Sequence, residues 1–300
     1  MSRIDLVGVD GSNPLGFLAA LGLLRVVPGA KLGFAADGSF RAFLDGFDKS
    51  ALATLVVDDA SSLAGSAPWR LTYTKAATKK QRPQEVADLK PPPDDFKKFL
   101  VTCIESWVTG TDEPVAYAAA YGTDVAVDGK GNTKPTAFHF TAAQQTFLGA
   151  VEDIRASVTH KWVETSLFEG HGEKPGSNLR WDPGAERNWA LMAKNPSGDG
   201  TLVDAPLEWL AFRGLPLLPT FPHGMRIITT GVSGRGDNMT FTWPLWSVPA
   251  TLQTVRSVLQ LDWTGAARER SERGVFAICS SAIRRTNQGF GNFAPSSVTC

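Results

Sequence analysis

The sequence predicts an α+β fold, with mixed or antiparallel sheets and helices packed on them. Three observations carry that expectation. Short strand-like runs are joined by hairpin signals, the clearest being Asp37-Gly38. Stretches of helical spacing lie between those runs, so strands are connected both by hairpins and by helices. A hydrophobic fraction of 43 %, with 10 % aromatic residues in a chain of 300, is ample for a sizeable core.

The chain opens on Ile4–Val9, which reads as a strand. It continues into DGSNPLGFLAALGLLRVV at 10–27, the most unusual stretch of the sequence. Its uninterrupted apolar part, Pro14 to Leu24, is 11 residues long, whereas a membrane-spanning helix needs about 20. Asp5 and Asp10 precede the run where a signal peptide would carry basic residues. Neither GxxxxGK[ST] nor GxGxxG is present, so a phosphate loop is excluded. A capped, buried helix over 14–26 remains. Ser12 or Asn13 serves as N-cap, Pro14 takes the first helical position, and Pro28-Gly29 stops the helix. Gly16, Ala19, Ala20 and Gly22 keep part of its surface thin enough for a close neighbour.

Beyond it, Lys31–Ala36 and Ser39–Leu44 flank the Asp37-Gly38 turn. A second helix follows over Lys49–Leu63, and Trp69–Tyr73 is a short strand. Composition then changes. Lys75–Pro93 has no aromatic residue, ends in three prolines, and places Lys75, Lys79, Lys80 and Arg82 before any acid. It reads as an excursion from the domain, either a solvated loop or a basic arm that orders on a phosphate backbone. The resulting division is an N-terminal α+β unit at 1–74, a basic and proline-rich loop at 75–93, and a helical segment with a C-terminal α+β unit at 94–300. The two units can also form one continuous domain.

The middle third begins with helices over Asp94–Val108 and Val115–Tyr121, and a glycine turn at Asp128–Asn132. A capping-box pattern from Thr141 to Gln144 predicts one long amphipathic helix carrying Phe147, Leu148, Val151, Ile154, Val158 and Trp162. From Leu167 to Asp204 the chain is rich in Gly, Pro and Asn, with Trp181 and Trp189 as expected anchors. In the last third, Leu207–Phe212 begins an apolar run that Pro216, Pro219 and Pro222 keep from becoming a long helix. Met225–Thr230 is a strand, GVSGRGDN at 231–238 a glycine turn, and Met239–Trp243 the returning strand. A short helix over Pro249–Leu259 and a strand over Val275–Arg284 complete the pattern.

Candidate chemistry is sparse. Lys+Arg and Asp+Glu both total 30, a formal net charge of +0, so nucleic acid or acidic lipid must be met by a local patch. Cys103, Cys279 and Cys300 are odd in number and far apart, which suits a reducing cytoplasm and offers no CxxC zinc pair. The four histidines form no HExxH or HxH. His160, Glu164 and His171 are the nearest approach to an acid–base or metal cluster, and a surface polar pair is the simpler reading of them. No catalytic residue, metal or cofactor is therefore expected. The glycine loops say more. Arg235 sits in Gly231-x-x-Gly234-Arg235-Gly236, and Arg284-Arg285 lead into Gln288-Gly289-Phe290-Gly291. Glycines let backbone N–H groups approach a phosphate, and Phe290 can stack on a base. A tight hairpin explains each loop equally well.

Residues 13–24, NPLGFLAALGLL, resemble the signature N-P-x-x-F-x-A-x-x-G-L-L of accessory proteins encoded in type I-G (formerly I-U) CRISPR loci. LRWDPGAERNWAL at 179–191 and the C-terminal arginine-glycine segment are similar to that group as well. NQGFGN at 287–292 also resembles the glycine-rich loop of RNA-binding ferredoxin-like subunits of CRISPR complexes. The likeness covers three short blocks, about a fifth of the chain. It implies ferredoxin-like elements in the fold and a non-catalytic subunit of a cytoplasmic antiviral defence system. Guide RNA or target DNA and other CRISPR-associated effector subunits would be its partners, with no membrane. The nucleic-acid contacts would then be Lys79, Lys80, Arg82, Arg235, Arg284, Arg285 and Phe290. The alternative class is a hydrolase or nuclease with a dispersed active site.

Overall fold

The computed structural model describes residues 3–63, 69–75, 82–141, 145–170, 172–185, 202–263, 267–285 and 291–300. The fold is α+β. β1 (Arg3–Asp10), α1 (Pro14–Val26), β2 (Lys31–Phe34) and β3 (Arg41–Asp45) open the chain. β3 lies antiparallel between β1 and β2, which makes those two parallel with α1 as the crossover. This is the split β-α-β arrangement of ferredoxin-like folds. Asn13 is the N-cap of α1, accepting from the Leu15 N–H at 2.8 Å, and Gly29 (φ +73) takes the left-handed turn after it. In the Asp37-Gly38 turn, the Asp37 carboxylate accepts from the Ser39 N–H and hydroxyl.

After α2 (Lys49–Ser62) come β4 (Thr72–Lys75) and β5 (Gln84–Ala87), paired antiparallel. The described part of 75–93 is therefore a docked hairpin leg where the composition suggested a loop. Leu89 is 1 % exposed, and the Pro91 carbonyl accepts from the Thr133 N–H and hydroxyl. The buried Leu89 and the polar contacts of Asp88 and Pro91 anchor a stretch that its composition marks as solvated. Lys79 and Lys80 lie outside the described residues. The prolines lead into α3 (Pro93–Val108), which is followed by α4 (Glu113–Tyr121) and the β6 (Gly122–Val127) and β7 (Thr133–Pro135) hairpin.

The helix expected to run on to Trp162 is two helices, α5 (Phe147–Ser157) and α6 (His160–Glu164). The β-branched Val158 and Thr159 adopt extended dihedrals between them. The apolar spacing carries on across the break, so periodicity alone reads as one helix. Residues 142–144 of the expected capping box lie outside the described residues, and Thr146, the N-cap of α5, makes no side-chain capping bond. A π-type turn over Thr165–Glu169 ends at Gly170 (φ +75).

β8 (Lys174–Pro175) pairs with β9 (Leu202–Val203), and α7 (Ala205–Gly214) follows behind its N-cap Asp204. The strand expected at 225–230 does not pair with the one starting at Met239. Gly224 (φ +60) turns the chain earlier, so β10 (Thr220–His223) pairs with β11 (Arg226–Thr229). β12 (Val232–Ser233) then pairs with β13 (Met239–Trp246). β14 (Ala250–Thr251) returns to the first sheet beside β2, ahead of α8 (Leu252–Val258) and α9 (Ala267–Glu272). β15 (Val275–Arg285), β16 (Gly291–Phe293) and β17 (Ser297–Thr299) complete an antiparallel second sheet of order β12-β13-β15-β16, with β17 also on β15.

One buried cluster runs from Ile4 to Phe293, and α1 lies inside it, with twelve of its 13 residues buried. A methyl group on Gly22 would overlap the Leu210 carbonyl oxygen, and one on Gly214 would overlap that of Leu18. The small residues of α1 are thus spent on close approach to α7. The Phe17 ring lies 6.0 Å from Phe34 of the first sheet and 5.6 Å from Trp243 of the second. Indole N–H groups cross-link the parts: Trp243 donates to the Gly11 carbonyl (2.8 Å), Trp246 to Leu32 (2.7 Å) and Trp181 to Phe138 (2.9 Å). Trp181 is the anchor expected of it, and Trp189 is outside the described residues. Among the described residues, no helix is long and apolar enough to cross a membrane.

Candidate nucleic-acid interface

Arg235 and the two arginines at the end of β15 lie toward the same end of the second sheet. In the antiparallel pair of β13 and β15, Met239 stands opposite Ile283. Arg235 lies four residues before Met239, in the turn that precedes β13, whereas Arg284 is the residue after Ile283, still within β15 and opposite Asn292 of β16. The short 3-10 turn Gly236–Asn238 packs on β15, and β16 pairs back with Arg285 opposite Gly291.

The glycines of the 231–238 loop have local reasons. Gly231 (φ +77) and Gly234 (φ +83) are left-handed, and a methyl on Gly234 would overlap the Asn238 carbonyl oxygen. Tight-turn geometry accounts for them, and Arg235 is what the turn displays, exposed to solvent. Arg284 is exposed beside it, whereas Arg285 is half-buried. The Arg285 guanidinium donates to the Ala137 carbonyl at 2.9 Å and to that of His139 at 3.4 Å, and it lies 5.4 Å from the Phe140 ring centre. Two carbonyls and a ring make Arg285 a staple between β15 and the 137–140 segment. Phe290 lies outside the described residues.

Sequence reasoning missed what surrounds the staple. His139 is buried and its Nε2 is 3.0 Å from the Asp88 carboxylate, which also accepts from the Phe147 N–H. Burial holds the His139 pKa below the usual imidazole value, against the pull of Asp88. Lys90 follows two residues later. Burial, Arg285 and Lys130 lower its pKa, while Asp88 and Asp128 oppose them. Lys90 and Lys130 therefore belong to the same electrostatic neighbourhood as Arg285. Arg82 is exposed six residues before Asp88, a span of at most about 20 Å of extended chain. No pattern links residues 82–90, 130, 235 and 284 in the sequence. Strand pairing and the Asp88–His139 contact bring their elements together.

The opening turn lies at a second junction. Asn13 donates from Nδ2 to Asp182 at 3.1 Å, joining residues 13–24 to the 179–191 block. A cavity of about 130 Å3 lies against this contact, lined among others by Gly8, Asp10, Ser166, Asp182 and Asp204. Its carboxylates have structural work. Asp10 accepts from the Ser12 N–H and hydroxyl, Asp182 from the Gly184 N–H, and Asp204 from the Leu207 N–H. Burial pushes Asp204 up to about 6, with Glu173 and Asp182 adding to it. Glu208, one turn on, is buried, accepts from the Leu179 N–H, and is pushed up to about 8 by burial.

His160 and Glu164 lie on the surface 3.8 Å apart, with Thr54 Oγ1 at 3.4 Å from His160, and His171 lies outside the described residues. Among the described residues, no three His, Cys, Asp or Glu side chains converge so that they could hold a metal ion. No family model matches the chain, and no curated protein or solved structure matches it either.

Proposed function

We propose that the chain is a non-catalytic, nucleic-acid-binding subunit of a cytoplasmic CRISPR defence assembly, holding guide RNA or its DNA target beside neighbouring effector proteins. One observation carries the reading. Arg235, on the turn before β13, and Arg284, near the end of β15, are both exposed toward the same end of one sheet. Lys90 feels the positive charge of Arg285 and Lys130, with Asp88 and Asp128 opposing them, and exposed Arg82 lies eight residues before Lys90. Phosphate contacts of this kind need exposed cations in one neighbourhood and no catalytic constellation. The likeness of residues 13–24 and 287–292 to CRISPR-associated proteins supplies the biological setting.

The test is affinity for single-stranded RNA and DNA across a salt series. Each phosphate neutralised contributes about 0.7 to the logarithmic salt slope on a single strand. Arg235→Ala with Arg284→Ala should therefore flatten the slope by about 1.4 and weaken binding. Changing Lys79, Lys80 and Arg82 to Ala should do the same from the arm. Phe290→Ala should cost about 1–3 kcal/mol if the ring stacks on a base. Unchanged affinity and slope in both sets of folded variants would remove the reading.

A further inference from the structure

Helix α3 carries two apolar stripes and buries only one. Phe96 and Cys103 are buried, and Phe99 and Leu100 pack partly against the core. The second stripe is Val101, Ile104 and Val108, exposed by 54 %, 52 % and 75 %, with Trp107 beside it at 60 %. The spacing of three then four residues is that of a helix–helix seam. A contiguous apolar patch of this kind on a folded surface marks a contact site.

The geometry points to a second copy of the chain as the occupant, with α3 packed antiparallel on α3 about a two-fold axis between Val101 and Ile104. Charge placement selects this pairing. Lys98 and Glu105 are seven residues apart, so they share one flank of the seam, and both are exposed. A two-fold axis across the seam turns that flank onto its own copy in reverse order. Lys98 then meets the copy's Glu105, and Glu105 meets the copy's Lys98. Parallel packing would instead set each charge level with its own kind. The seam pairs Val101 with the copy's Ile104, and Trp107 on the other flank closes over the end of the copy's helix. Within one chain Lys98 pairs with Asp95 at 2.9 Å on the surface, a contact weak enough to yield. This self-association does not depend on the nucleic-acid reading.

The experiment is sedimentation equilibrium of the full chain across the micromolar range. A reversible monomer–dimer equilibrium is expected, and Ile104→Glu should abolish it while circular dichroism and melting stay as in the parent. Lys98→Glu alone and Glu105→Lys alone should each weaken the dimer about tenfold, because each sets like charges together twice. An equimolar mixture of these two variants should recover full association as a heterodimer, since each changed flank then faces one of opposite charge. A chain that stays monomeric throughout overturns the proposal. So does a dimer indifferent to Ile104→Glu, or one whose two charge variants fail to rescue each other.

Discussion

The Asn13 side-chain amide caps α1 with its oxygen and donates from its nitrogen to the Asp182 carboxylate, 169 positions away. One residue thus starts the buried helix and ties it to the irregular connection that follows the middle helices. Asn13→Ala should lose both contacts and lower stability by about 1–2 kcal/mol in chemical denaturation. Asn13→Asp keeps the cap but sets a carboxylate against Asp182, so it should be no more stable than the alanine variant near neutral pH. An aspartate variant as stable as the parent would show that the amide's donor side does not matter.

The closeness of α1 and α7 predicts a sharp size limit. Gly22→Ala would push a methyl group into the Leu210 carbonyl, which is rigid backbone. Its cost should reach about 3 kcal/mol or prevent folding, although alanine is the better helix former. A Gly22→Ala protein with parental melting would mean the two helices separate at no cost.

A buried ion network should behave as a unit. Arg213 pairs with Asp59 at 2.9 Å, with the Glu113 carboxylate, and with the Tyr117 hydroxyl at 2.8 Å. Arg25 donates to the Arg213 carbonyl at 2.6 Å. Arg213→Met leaves Asp59 without its cation and Glu113 with the longer Arg25 contact at 3.5 Å, and should cost about 3–5 kcal/mol. Adding Asp59→Asn should recover part of that loss, and a double variant no better than the single one would refute the coupling.

Glu208 predicts a pH dependence with a definite sign. Its folded pKa of about 8 stands above the unfolded value of 4.5. Between these values the folded state binds more protons, so its contribution is fully present below about 4.5 and is lost as pH rises through 8. Asp204, raised from 3.8 to about 6, acts in the same direction over the lower part of that window. Glu208→Gln keeps an acceptor for the Leu179 N–H and removes the ionisation. It should melt like the parent near pH 5 and higher than the parent at pH 8–9, by an amount equivalent to about 1–3 kcal/mol. Parallel melting curves across this range would exclude Glu208 as the source of the pH dependence.

Local chemistry made much of the fold legible. Asn13, Pro14 and Gly29 bound α1 as their capping preferences require, and Asp37-Gly38 makes its turn. The strands at 4–9 and 275–284 form where their patterns place them, because a strand's period and a helix's cap are written within a few neighbouring residues. Partnership was not legible. Met239–Trp246 pairs with Val275–Arg285 and not with Arg226–Thr229, since pairing is decided by the whole second sheet and an earlier turn at Gly224 was available. The break at Val158 and Thr159 escaped because hydrophobic spacing reports which residues face the core, not whether the backbone between them stays helical. At the candidate interface, Arg235, Arg284 and Arg285 were visible as residue types. The sequence alone determined that arginines sit within or next to glycine-rich stretches. Only tertiary packing decided that Arg235 and Arg284 share one exposed end while Arg285 is held by the Ala137 and His139 carbonyls. The reason is physical: a side chain's accessibility depends on which distant backbone groups come within hydrogen-bonding range, and nothing local to Arg284-Arg285 specifies that.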